Sequence, residues 1–190
     1  MKSMSPGFRV PRSLKIAAAA GLLLGLLAAC QTTPPRAPIA LAPQVDLPRF
    51  MGRWYVIAAI PTWPERDAYE AVESYRLRDD GRIATTFTFR RGSFEAPLKT
   101  MEPVGTVADT RSNAVWTMQF VWPFEADYRI VHVDPAHTEV IVGREKRDYV
   151  WIMARTPTLP DADYQRLVGI VAAQGYDTAK LRLVPQKRPG

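Results

Sequence analysis

Ile83-Ala84-Thr85-Thr86-Phe87-Thr88-Phe89 alternates bulky and small side chains without a break. Successive residues of a strand point to opposite sides, so Ile83, Thr85, Phe87 and Phe89 share one face and Ala84, Thr86 and Thr88 the other. The first face is apolar enough to be buried; the second suits partial exposure. Val115-Trp116-Thr117-Met118-Gln119-Phe120 repeats the pattern, with Trp116, Met118 and Phe120 on the aromatic side. A run of such strands can bury its apolar face by closing on itself, which also removes the sheet edges.

Working outward, six more stretches read as strands: 53–60, 71–78, 99–108, 126–133, 139–143 and 149–154. With 82–90 and 114–120 they make eight. Turn chemistry separates them: Asp79-Asp80-Gly81, Arg111-Ser112-Asn113, Asp134-Pro135-Ala136-His137 and the charged stretch 144–148. The short, even spacing predicts consecutive hairpins, hence an all-β, eight-stranded up-and-down antiparallel barrel with room for side chains or one small ligand. One helix follows. Thr158-Leu159-Pro160-Asp161 reads as its start, with Thr158 as N-cap and Pro160 in the first turn. Tyr164, Leu167, Val168 and Val171 then recur at helical spacing and Gly175 ends it. The stripe predicts packing on the outside of the barrel, with 180–185 returning as a last short strand.

The N-terminus carries a different signal. Lys2, Arg9, Arg12 and Lys15 precede an uncharged stretch from Ile16 to Ala29, too short to span a bilayer and ending in small residues. Residues 1–29 therefore read as a signal peptide. Leu27-Ala28-Ala29-Cys30 resembles a lipobox, which implies cleavage before Cys30 and its acylation with diacylglycerol and a fatty acid such as palmitate. Cys30 is the only cysteine, so no disulfide is available. In bacterial lipoproteins Asp after the cysteine retains the protein in the inner membrane; Gln31 here points to the outer membrane. Residues 30–45, rich in Pro, Ala and Thr, read as a lipidated flexible tether reaching about 45 Å at about 3.1 Å per residue. Four of the 25 basic residues fall within 1–29 and none of the 19 acidic ones, which leaves the mature chain at about +2. No basic cluster marks a nucleic-acid footprint. Residues 46–185 make one domain of ordinary size, and 186–190 a short tail.

Three segments, in order, resemble the lipocalin family: Phe50-Met51-Gly52-Arg53-Trp54-Tyr55 its GxW signature, 128–134 its middle segment, and 148–157 the segment that ends in the family's arginine. With the helix they cover nearly all of 46–185, and the pattern is similar to bacterial outer-membrane lipocalins, relatives of apolipoprotein D. The resemblance implies that Trp54 closes the barrel floor and Arg155 stacks on it, so Gly52, Trp54 and Arg155 are structural. It also implies a hydrophobic ligand, a fatty acid, lysophospholipid or related lipid, stored or transported at the envelope. No cofactor is implied. One feature of those relatives is missing: the cysteine pair that ties the second strand region to the third, where 67–69 and 90–92 hold no Cys.

The inward aromatic faces supply the candidate ligand wall: Tyr75, Phe87, Phe89, Trp116, Met118, Phe120, Tyr128 and Trp151. The same residues could simply fill the barrel. Trp122-Pro123-Phe124 reads either as a rim of the mouth or as a packed turn, and Trp63 and Pro64 as a lid. Glu73, if it points inward beside Tyr75, is a buried carboxyl able to meet a ligand head group or act as a base. His132 and His137 are too few for a metal site, and no GxSxG elbow or free thiol offers a nucleophile. A binding protein, monomer or homodimer and not an enzyme, is therefore expected on the periplasmic face of the outer membrane. The other readings are an enzyme using the same barrel and an envelope interaction protein whose barrel is filled.

Overall fold

The computed structural model describes residues 36–187, so the signal segment, Cys30 and the tail residues 188–190 lie outside the described residues. Nine strands wind up and down in chain order: β1 (Gly52–Ile60), β2 (Ala68–Leu77), β3 (Ile83–Arg91), β4 (Leu98–Met101), β5 (Val104–Val107), β6 (Val115–Val121), β7 (Phe124–Val133), β8 (Glu139–Gly143) and β9 (Val150–Ala154). Strand β9 returns to β1, from Tyr55 opposite Ala154 to Ile60 opposite Val150, and the sheet closes. Both β4 and β5 pair with β3, so they are two halves of one stave and the barrel has eight. The sequence reading ran a single strand through 99–108. Pro103 breaks it, because it brings no N–H to the ladder; its carbonyl still accepts the Thr85 N–H at 3.1 Å.

Alternation places the side chains as the pleat requires. Ile83, Thr85, Phe87 and Phe89 of β3 are buried, and Ala84, Thr86 and Thr88 between them are half-exposed. In β8 every residue is buried. There the barrel core lies on one side and the helix α2 (Asp161–Ala173) on the other, so Val140-Ile141-Val142 reads as a continuous apolar run. Leu167 and Val171 of α2 pack with Ile57, Ile141 and Ile152 in this outer core. The helix begins three residues later than Thr158, with Pro160 as N-cap and no side-chain cap bond. Leu159, preceding a proline, is held out of the helical region.

Behind α2, Tyr176 locks the helix end to the barrel: its hydroxyl accepts the Arg144 N–H at 2.8 Å and donates to the Arg144 carbonyl at 3.1 Å. A Cβ on Gly143 would land on that hydroxyl. Gly143→Ala is expected to cost about 2–3 kcal/mol, as overpacking does. Urea unfolding checks it, and an unchanged midpoint would show that Tyr176 moves aside freely.

Two segments differ from expectation. Residues 39–45 form a strap rather than a free tether: Ile39, Ala42 and Val45 are buried, and the Ala42 and Val45 N–H groups donate to Ile130 and Ser112 carbonyls at 2.9 and 2.8 Å. Ile39 joins the outer core with Leu167 and Val171, whereas Ala42 and Val45 pack with the barrel core. At the other end of the chain, β10 (Arg182–Leu183) pairs with β1 at Ala58 and Ala59. Gln186, assigned to the tail, donates to both the Val56 and Ala71 carbonyls, bridging β1 and β2 above Tyr55, where their pairing ends.

Candidate functional site: the barrel cavity

The short helix α1 (Leu47–Phe50), capped by Asp46, lies under the end where β1 begins. Its Phe50 ring plugs that end, with centroids 5.2 Å from Trp54, 5.4 Å from Tyr75 and 5.3 Å from Trp116. Buried indoles need acceptors: Trp54 Nε1 donates to the Phe50 carbonyl and Trp116 Nε1 to the Asn113 carbonyl, both at 2.8 Å. The Arg155 guanidinium sits 3.7 Å over the Trp54 ring. Gly52 has φ +93°, a region that strains any other residue, and lies beneath that guanidinium. The three signature residues thus build the closed end.

Above this floor a cavity of about 80 Å3, open at the mouth, is lined by Phe87, Met118, Phe120, Tyr128 and Trp151 among others. Five of the eight expected wall residues therefore meet there. Tyr75, Phe89 and Trp116 do not line it. Trp116 stacks on Tyr128 at 5.3 Å and belongs to the floor; Tyr75 is tied by its hydroxyl to that of Tyr128 at 2.6 Å; Phe89 stacks on Phe87 at 5.1 Å. Alternation along a strand distinguishes inside from outside but not floor from cavity. In β6 the successive inward residues Trp116, Met118 and Phe120 are floor, wall and mouth.

The cavity is apolar with a few convergent polar groups, as ligand sites are. Deepest are Glu73, Thr85 and Tyr128. Glu73 Oε2 and Thr85 Oγ1 are shut off from solvent without a hydrogen-bond partner. Burial, reinforced by the nearby Glu65 charge, pushes the Glu73 carboxyl up to about 8. Burial also raises Glu65, against the opposing hydrogen bonds from Thr62 and from Trp151 Nε1, the latter at 2.8 Å. The Tyr128 hydroxyl is raised in the same way by burial and by Glu73. Nearer the mouth, Arg144 pairs with Asp148 at 3.2 Å and stacks on Tyr149 at 5.3 Å, while its buried Nε has no partner.

Of the first long loop, Thr62 and Glu65 face the cavity; Trp63 turns outward between Arg66 and Arg91, so it is no lid. Trp122 and Phe124 stand exposed on the rim. Among the described residues no three His, Cys, Asp or Glu side chains gather as metal ligands. Thr85 and Glu65 are the residues sequence reasoning missed. Thr85 occupies an inward position of the quoted β3 alternation, a polar residue in an apolar row; Glu65 carries no comparable signal.

Residues 45–186 match the family described as a lipocalin-like domain. The chain is 30% identical over 178 residues to outer membrane lipoprotein Blc of Escherichia coli strain K12, covering 92% of this chain and 98% of that one. It is 29% identical over 149 residues to temperature-induced lipocalin-1 of Arabidopsis thaliana, covering 75% and 80%. Among solved structures, insecticyanin from the tobacco hornworm Manduca sexta superposes with a TM-score of 0.61 at 14% identity, covering 79% of this chain and 84% of that one. The closed barrel, the Trp54–Arg155 floor and the outer helix agree with the matched segments: the chain belongs to the lipocalin family.

Proposed function

We propose that this lipocalin-type binding protein takes one amphiphilic lipid, a fatty acid or lysophospholipid, into its cavity and stores or carries it at the periplasmic face of the outer membrane, anchored through acylated Cys30. It acts by binding, not catalysis. The carrying observation is the shape of the cavity: an apolar sleeve of Phe87, Met118 and Trp151 with the cation Arg144 near its mouth. An acyl chain gains about 25 cal/mol per Å2 of apolar surface buried. The deep end, where Glu73 and Thr85 are closed off from water, offers an anionic head neither solvent nor a counter-charge, so the chain enters tail first and its carboxylate or phosphate stays by Arg144. The family and the name of the Escherichia coli relative support this reading.

Native mass spectrometry of protein taken from its own envelope, with lipid extraction, is expected to find a bound lipid. Titration with lysophospholipid should quench tryptophan emission saturably in the micromolar range. That signal should vanish in Trp151→Phe, whose binding by mass spectrometry persists. Protein that arrives empty and ignores both fatty acid and lysophospholipid would refute the proposal.

A further inference from the structure

We propose that the open end of the barrel is itself a membrane-docking surface, so that the cavity opens directly onto phospholipid. Phe120, Val121, Trp122 and Phe124 at the tip of the β6–β7 hairpin are 50, 67, 80 and 74% exposed, and Trp63 on the neighbouring loop is 64% exposed. Among the described residues these include every exposed tryptophan and phenylalanine side chain. Their clustering around one opening departs from the scattered apolar exposure of ordinary surfaces. Tryptophan and phenylalanine are residues that settle at the boundary of head group and acyl chain.

Charge complementarity favours lipid over a second copy of the chain. The Arg66 and Arg91 guanidinium groups lie 5.1 and 5.2 Å from the Trp63 ring. Two arginines flanking an exposed indole match a surface of lipid phosphates. Apposing this face to its own copy would instead bring four such arginines together.

The strap supplies a second, independent argument, which rests on the reading of Cys30 as the lipid anchor. Ile39 N–H donates to the Glu145 carboxylate at 3.2 Å, and Glu145 lies in the β8–β9 loop at the open end. From there the strap descends to Val45 at the closed end, where its N–H meets Ser112. The chain from Cys30 to Ile39 spans about 28 Å at about 3.1 Å per residue. The strap leaves the barrel at its open end, so the anchor has the shortest path to the bilayer when the mouth faces it. Lipid then passes between bilayer and cavity without crossing water.

Among the described residues both cores begin at Ile39, and the lipocalin-like match begins at residue 45, so the chain 31–190 is produced without Cys30. This soluble chain is expected to float with vesicles of phosphatidylethanolamine and phosphatidylglycerol at roughly three to one, and Trp122→Ser/Phe124→Ser to weaken partitioning about tenfold. The double variant should melt as the parent does, both side chains being largely exposed. In parallel, the full mature chain carrying its lipid is placed in vesicles with brominated acyl chains. Quenching of its emission should fall in Trp122→Phe. The mass of the N-terminal peptide reports acylation separately. An acylated chain whose Trp122 goes unquenched overturns docking and leaves the anchor standing; an unacylated Cys30 with soluble chain that floats supports docking and removes the anchor. A soluble chain that ignores vesicles and forms a dimer lost in the double variant overturns the proposal in favour of a second copy.

Discussion

Replacing Arg155 by alanine is expected to remove about 3–5 kcal/mol of stability, a large share of what a domain of this size possesses. The side chain does two things at once. Its face lies 3.7 Å over the Trp54 indole, a partly desolvated cation–π contact of about 1–2 kcal/mol. Its edge donates to five carbonyls: Arg49 at 2.7 Å, Phe50 at 3.1 Å, Met51 at 2.9 Å, Arg53 at 2.8 Å and His137 at 3.1 Å. Three of these belong to the end of α1, whose last carbonyls have no partner within the helix. Alanine strands the Arg49 and Met51 carbonyls, at about 1–3 kcal/mol for each one that water cannot reach, while the Phe50 carbonyl keeps the Trp54 indole N–H. Lysine should recover less than half, since an ammonium neither lies flat on an indole nor spans that fan of acceptors. Urea unfolding of the two variants decides it; a loss under about 1 kcal/mol for Arg155→Ala would mean that water replaces the guanidinium and the floor is held by packing alone.

The staves were legible because period-two alternation is written locally: Phe87 and Phe89 point inward whatever the rest of the chain does. What lay outside local pattern was height. Trp116, Met118 and Phe120 carry the same signal, and only the Phe50 plug, delivered by a helix sixty-odd residues earlier, makes the first of them floor and the last of them mouth. The break at Pro103 was available to a stricter reading, since a missing N–H is a property of the residue itself. The strap was not. Ile39, Ala42 and Val45 are three small or medium apolar residues in a Pro-rich stretch, and their burial depends on partners in β7, the β5–β6 turn and the β8–β9 loop that come together only once the barrel is closed. Glu73 was a buried carboxyl only on the condition that it shared the inward face with Tyr75, and its electrostatic state depends on burial and on Glu65, brought beside it by the fold of the first loop.

Glu73→Gln is expected to stabilise the protein by an amount that grows with pH. In the folded barrel the Glu73 carboxyl titrates near 8, against an ordinary value of 4.5, mainly because ionising it there means placing a charge where water cannot follow. Below about pH 4.5 both folded and unfolded chains hold the proton and the group takes no side. Between about 4.5 and 8 the unfolded chain releases the proton while the folded chain keeps it, so the folded state binds more protons and stability falls as pH rises. Above about 8 both states are ionised and the loss levels off. At 1.36 kcal/mol per unit, the full difference comes to about 3–5 kcal/mol. Glutamine keeps the shape and cannot ionise, so the variant should match the wild type at pH 4.5, pull ahead steadily through neutrality and hold a constant lead beyond pH 8. Taking the difference between the two proteins cancels every other titrating group. Urea midpoints of wild type and variant at intervals from pH 4.5 to 9 provide the curve. A lead that is the same at every pH would show that Glu73 finds water or a counter-charge in the folded barrel. The deep end would then be wet and the tail-first entry of an acyl chain would lose its physical basis.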